Sequence, residues 1–208
     1  MAVSHPRSTT MPTTGMKRDT ALFGGSFDPV HRGHMHLVHE AFVLTGIKRV
    51  IFIPSFVSNF KRGGANASFP DRYKMLELAI LDYRDEYGDG PELLISDVEE
   101  KRGGISYTSD TVRYFLSKEC GEGRISFIMG DDLLDGIERW HDYPFLKEHV
   151  HFIVFSRNGI KNVPEGLDAT LFRSEVLDAS STDVRNGDFS LLTPRVLKYV
   201  SDRGLYDA

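Results

Sequence analysis

"LFGGSFDPVHRGHMHLVHE", residues 22–40, joins a short apolar run to a helix-period segment through two adjacent glycines and an Asp-Pro pair. The run that ends at Gly24 and Gly25 reads as a strand, and the apolar spacing after Pro29 reads as a helix. A strand that feeds a helix through a glycine turn is the unit from which parallel sheets are built. In such sheets ligands bind beyond the carboxyl ends of the strands. Glycines there let the backbone come close, and the helix N-terminus offers free N–H groups. The stretch matches neither G-x-x-x-x-G-K-[ST] nor G-x-G-x-x-G.

The same stretch holds four histidines, which admit three readings: metal ligands, packing groups or phosphate donors. At about 100° per residue, His31 and His34 lie about 60° apart, on the side that continues into Met35, Val38, Ala41 and Phe42. His36 and His39 form a second pair, turned away and expected to face solvent. Two diverging faces, with no cysteine or carboxylate pair nearby, argue against a metal shell. Two histidines at the mouth of a helix beside a Gly-Gly turn suit donation to anionic oxygens better than plain packing.

Outward from this stretch, short continuous apolar runs alternate with helix-period segments. The runs fall at 20–24, 49–54, 92–97, 124–129 and 151–156, with a weaker one at 170–176. Continuous apolarity marks strands buried on both faces, hence a parallel sheet with helices on either side. Helices are expected at 32–45, 70–83, 107–118, 131–148 (broken around Pro144) and 193–203. Pro70 and Pro194 suit first helical positions, Thr193 an N-cap and Gly204 a stop. The order predicts a single doubly wound, Rossmann-like α/β domain over 19–208 with a mostly parallel sheet. Residues 1–18, rich in Thr, Ser and Pro, read as a disordered tail and lack the apolar centre of a signal peptide. The irregular stretch 55–69, "SFVSNFKRGGANASF", is a candidate mobile substrate loop.

Composition narrows the function. Net charge is −5, with Lys and Arg scattered, and a nucleic-acid partner, which would need a basic face, is not expected. The one cysteine, Cys120, allows neither an intrachain disulfide nor a cysteine metal cluster. No apolar run is long enough to span a membrane, and a cytoplasmic location is expected. Any phosphate site should be a local pocket.

"GGSFDPVHRGH" resembles the G-[TS]-F-D-P-x-H-x-G-H signature of the H-x-G-H nucleotidylyltransferase superfamily, with His31, Gly33 and His34 on its H-x-G-H. "ASSTDVRNG" (179–187) is similar to the superfamily's I-S-S-T-x-[IV]-R motif, placing Ser180, Ser181, Thr182 and Arg185, with Ala179 where Ile is usual. "GGISYTSDTVRYF" (103–115) resembles the S-Y-T-x-D-T segment of the nicotinate-nucleotide adenylyltransferases. "FIMGDDLLDGIERW" (127–140) resembles their strand-G-x-D…W element, placing Gly130, Asp132 and Trp140. The resemblance runs from about residue 20 to 206.

It implies adenylyl transfer from ATP to nicotinate mononucleotide, giving nicotinate adenine dinucleotide and pyrophosphate, with no covalent enzyme intermediate. By the same resemblance, His31 and His34 stabilise charge on the α-phosphate. Gly24, Gly25 and the backbone at Ser26 and Phe27 line the nucleotide cleft. Arg185, with Ser180, Ser181 and Thr182, holds the β and γ phosphates. The Tyr107 and Thr108 amides face the nicotinate carboxylate, Trp140 stacks on the pyridine ring, and Gly130 and Asp132 share that side. Lys61 and Arg157 are phosphate candidates. The family's Pro-Pro-His-Lys patch is replaced by "SNFKRGG", with Phe60 where the histidine is expected. Magnesium is expected to arrive with ATP, and the resemblance raises self-association into a homo-oligomer. Nicotinamide mononucleotide as acceptor, phosphopantetheine adenylyl transfer and a non-catalytic nucleotide sensor are the competing readings.

Overall fold

A computed structural model describes residues 19–58, 65–120, 124–156, 162–174 and 179–207. The sheet is built from β1 (Thr20–Gly25), β2 (Arg49–Pro54), β4 (Glu92–Ile95), β6 (Ile125–Gly130), β7 (Val150–Ser156) and β8 (Ala169–Arg173). Between β2 and β6 a pair of two-residue strands, β3 (Val57–Ser58) and β5 (Ile105–Ser106), forms a separate parallel sheet. The main sheet has the order β4-β2-β1-β6-β7-β8, and every pairing in it is parallel. The chain reverses its direction of travel across the sheet between β1 and β6, so a crevice opens where those two strands end.

Helices cover both faces: α1 (Arg32–Thr45), α2 (Phe69–Tyr87), α3 (Val98–Arg102), α4 (Thr108–Phe115), α5 (Tyr143–His149), α6 (Ser181–Arg185) and α7 (Pro194–Arg203). Alternate strand residues feed two cores. Ala21, Phe23, Val50, Phe52, Ile153 and Phe155 join one cluster, while Leu22, Ile51, Ile53, Phe152 and Val154 join the other. That two-sided demand is why the strand runs are apolar without alternation. Each such fully buried Leu, Ile or Phe contributes about 1.5–3 kcal/mol through burial.

Helix ends follow local chemistry. Ser68 caps α2 by accepting the Asp71 N–H at 3.2 Å, with Pro70 in the first turn. Gly46 (φ 71°) and Gly204 (φ 58°) end α1 and α7 in the left-handed conformation that glycine takes without strain. No helix among the described residues is long and apolar enough to cross a membrane.

Several boundaries differ from expectation. The 131–148 segment is two 3₁₀ turns, Asp131–Leu133 and Ile137–Arg139, followed by α5. Gly136 (φ 96°) and Asp142 (φ 51°) interrupt it; Pro144 sits in the first turn of α5, where its missing N–H costs nothing. The helix expected over 107–118 ends at Phe115 and passes into a π turn, Leu116–Cys120. α2 runs on to Tyr87, because Tyr83 and Tyr87 still pack against α1 and the stop comes only at Gly88. The third strand stops at Ile95, where Ser96 accepts the Val98 N–H and starts α3.

The second histidine pair does not point into solvent. His39 stacks on Tyr87 (4.1 Å, 24°) and hydrogen-bonds Tyr83 Oη at 3.2 Å, while His36 meets Tyr87 Oη at 3.3 Å. A helix packed on the sheet by one face is here flanked by a second helix on another, so the outer pair is half covered.

Candidate active site

The site is assembled around the turn after β1. Phe27 takes φ 46°, which folds its ring back into the core against Phe23 (5.5 Å) and His34 (5.1 Å). Glycine at position 25 eases this, since a Cβ there would lie 3.1 Å from Phe27 Cζ, tighter than an ordinary contact. A Cβ on Gly24 would lie 3.1 Å from Phe127 Cζ. Both glycines therefore make room for aromatic rings, and Gly24 also lines the cleft. The Asp28–Pro29 peptide is cis.

His31 is the N-cap of α1 and only 5% exposed. His34, one turn on, accepts the His31 backbone N–H at its Nδ1 (3.2 Å), and the two rings lie 3.7 Å apart. An Nδ1 that accepts carries no proton, so in the neutral ring the proton sits on Nε2 and makes that atom a donor. Both rings line a cleft of about 240 Å³ together with Gly24, Gly33, Gly130 and Asp132. Another wall includes Ser180 and Ser181.

That wall is α6, tied directly to the first turn. Ser180 accepts the Asp183 N–H at 3.1 Å and Asp183 Oδ2 accepts the Ser180 N–H at 3.0 Å, a reciprocal cap. Ser181 Oγ donates to the Pro29 carbonyl at 3.0 Å. Arg185 uses its fork: Nη1 donates to the Asp28 carbonyl at 2.6 Å and Nη2 to Thr182 Oγ1 at 2.9 Å. Ala179 is fully buried, and a Cβ on Gly33 would lie 3.3 Å from its methyl. The absence of a side chain at Gly33 thus lets the two segments touch.

The remaining expected residues divide. Gly130 and Asp132 are in the cleft. Tyr107 caps α4 and Thr108 begins it, but neither is among the walls around the histidines. They form a second patch: the Tyr107 ring stacks on His141 (4.2 Å, 23°), and Ser109 Oγ meets His141 Nδ1 at 3.0 Å. Beneath them Glu99 is buried and accepts Thr111 Oγ1 at 2.8 Å; burial pushes its carboxyl above the usual range. Trp140, expected to stack on the pyridine ring, is not among the cleft walls. Its indole is only 8% exposed and sits edge-on to Phe127 (6.2 Å, 81°), because Gly136 and the 3₁₀ turn fold it onto the sheet. Gly25, Ser26 and Phe27 are not among the residues that line the cleft, and the Phe27 side chain belongs to the core. Lys61 and Arg157 lie outside the described residues. The described ends of the 55–69 stretch are anchored: the Phe56 N–H donates to Ser106 Oγ at 3.0 Å, and Asn66 and Ala67 bond Asp28.

Two residues of consequence, Asp28 and Arg72, receive no role from the sequence. Asp28 is 1% exposed, and its carboxylate accepts the Asn66 N–H (2.7 Å), the Ala67 N–H (3.0 Å) and Tyr206 Oη (2.7 Å). Arg72, 2% exposed, donates to the Ser26 carbonyl at 2.7 Å and the Ala67 carbonyl at 3.3 Å. Burial depresses the Arg72 pKa, and the Asp28 charge opposes that shift. Asp28 belongs to the quoted stretch, but its partners are remote in the chain and follow no period.

The cytidylyltransferase-like family matches residues 22–187. The chain is 34% identical over 206 residues to a probable nicotinate-nucleotide adenylyltransferase of Treponema pallidum, covering 89% of this chain and 98% of that one. It is 31% identical over 226 residues to the nicotinate-nucleotide adenylyltransferase of Salmonella typhimurium, covering 92% and 100%. Among solved structures it resembles the Plasmodium falciparum nicotinic acid mononucleotide adenylyltransferase complexed with NaAD. There the TM-score is 0.71 at 20% identity, over 90% of this chain and 97% of that one. The same protein complexed with APC gives 0.72 at 19%, over 90% and 96%.

Proposed function

The chain belongs to the nicotinate-nucleotide adenylyltransferase family, within the cytidylyltransferase-like group, and from that premise we propose that it transfers the adenylyl group of ATP to nicotinate mononucleotide. The products are nicotinate adenine dinucleotide and pyrophosphate. The observation that carries this reading is the stapling of two distant motifs at one cleft, which the histidine pair also lines: Ser181 on Pro29 and Arg185 on Asp28.

In this mechanism a phosphate oxygen of the mononucleotide attacks the α-phosphorus. The new O–P bond forms as the bond to the pyrophosphate oxygen breaks, and the electron pair leaves with pyrophosphate. No side chain becomes bonded to phosphorus. His34 Nε2–H donates to the oxygens on which charge builds, and His31 flanks the same atoms from the helix mouth. Donors fixed in place before the reaction need no reorganisation when the charge develops. Arg185, held by two hydrogen bonds, presents its charge to the outer phosphates. Tyr107 and Thr108, at the start of α4, offer backbone N–H groups to the nicotinate carboxylate.

Magnesium comes as the ATP complex. The triphosphate supplies most of its oxygen ligands, and among the described residues no trio of His, Cys, Asp or Glu forms a cage for it. The reaction takes place in the cytoplasm in this reading.

The experiment supplies ATP with nicotinate mononucleotide, nicotinamide mononucleotide or phosphopantetheine in turn and measures pyrophosphate. Release with the first acceptor well above the other two is the expected result. Preference for either of the others replaces the acceptor in this reading. ATP binding without pyrophosphate from any acceptor makes the protein a sensor.

A further inference from the structure

Three segments far apart in the chain converge on Asp28: the 65–67 backbone that precedes α2, the motif helix α6, and the C-terminal turn Leu205–Asp207. We propose that Tyr206 and Asp28 are positioning residues for the transfer reaction, the Tyr206 hydroxyl holding the Asp28 carboxylate and Asp28 holding the strip on which Arg185 and His31 stand. The inference rests on the reading of that strip as the phosphate cradle.

Asp28 is used at both ends. Its carbonyl takes Arg185 Nη1 at 2.6 Å, and its carboxylate takes two backbone amides and one phenol. A carboxylate that is 1% exposed has no water to replace a lost donor, so each of the three must be supplied by the protein. Tyr206 and Asp207 both sit at φ 59°, a left-handed conformation that residues with a Cβ seldom adopt. The chain turns this way at its end, and the turn carries the phenol back to Asp28. Burial and the neighbouring Asp28 carboxylate keep the phenol protonated, pushing its pKa well up, so it serves as a donor. If Asp28 tilts, its carbonyl tilts with it. Arg185 then loses one of its two anchors, while His31, three residues on, shifts at the helix mouth.

A second tyrosine provides a matched control. Tyr199 Oη donates to Asp71 Oδ1 at 2.8 Å, also from the C-terminal segment to the α2 region, but with no bond to the cleft. The experiment compares Tyr206→Phe with Tyr199→Phe. Tyr206→Phe should raise the KM and the dissociation constant for ATP about tenfold, the size of one hydrogen bond to a buried charge. The KM for nicotinate mononucleotide should stay unchanged, while kcat falls as His31 shifts with the strip. Hydrogen exchange at the Asn66 and Ala67 amides should quicken. Tyr199→Phe should lower the melting temperature without moving any of these. In an Asp28→Asn background, Tyr206→Phe should add no further loss, since the two act as one unit.

Equal ATP affinity and equal exchange in the two tyrosine variants overturn the proposal, as do additive losses with Asp28→Asn. If the wild-type protein releases no pyrophosphate with nicotinate mononucleotide, the proposed function falls. Calorimetric ATP affinity and amide exchange then still decide the role of Tyr206.

Discussion

Replacing Gly33 with alanine adds one methyl group where the two motifs touch. The new Cβ would lie 3.1 Å from both Cε1 and Nδ1 of His31 and 3.3 Å from the Ala179 methyl. Comfortable carbon contacts need about 3.5–4.0 Å, so something must yield by about half an ångström. Ala179 is rooted in buried backbone, and the His31 ring turns on its side-chain bonds, so the ring yields. Where a 1 Å misplacement costs about 10²-fold, half of that costs about tenfold in turnover, or roughly 1.4 kcal/mol of transition-state stabilisation. Stability responds differently. Alanine gains up to about 1 kcal/mol of helix propensity, and the tight contact costs about as much, leaving the melting temperature within about 3 °C of wild type. Pyrophosphate release at saturating ATP and nicotinate mononucleotide, measured beside a thermal melt, separates the two effects. Wild-type turnover in a folded Gly33→Ala protein would refute the reasoning, because it would mean that the position of the His31 ring does not matter to the chemistry.

Arg185→Lys should cost about tenfold in kcat/KM, since one ammonium cannot reach both the Asp28 carbonyl and Thr182 Oγ1 as the guanidinium fork does; steady-state kinetics with ATP varied will read it. His39 is held below its usual pKa of 6.5, first by burial and then by the charge of His36, with Glu40 and Glu86 opposing. The folded state therefore binds fewer protons than the unfolded chain, so this contribution to stability is present above pH 6.5 and is lost as pH falls below it. Melting curves from pH 7.5 to 5.5 should show the loss, and His39→Gln, which keeps Tyr83 and Tyr87 in place, should flatten it. A chelator should stop turnover and excess magnesium restore it, while the melting temperature of the nucleotide-free protein stays the same; a fall in that temperature would point to a metal held by the chain itself.

Much of the fold was legible because its signals are local. Six apolar runs became the six strands of one parallel sheet, and a Gly-Gly turn followed by a helix placed His31 and His34 at the crevice. The division of the four histidines into two pairs also held, but phase on a single helix cannot tell solvent from a neighbouring helix. His36 and His39 therefore meet Tyr83 and Tyr87 instead of water. Trp140 shows the same gap: its spacing from Gly130 was readable, while its burial against Phe127 depends on Gly136 and a 3₁₀ turn too short to leave a period. α3 and β5 were missed for that reason as well.

The sequence by itself determined the doubly wound sheet, the histidine pair at its switch point and the family, since each rests on residues a few positions apart whose spacing is set by strand or helix geometry. Only the tertiary structure decided how the cleft is held together. The bonds from Ser181 to Pro29, Arg185 to Asp28 and Tyr206 to Asp28 cross 152, 157 and 178 positions of chain. A hydrogen bond between groups so remote is set by where the packed elements bring the backbone, and no periodicity along the chain encodes it.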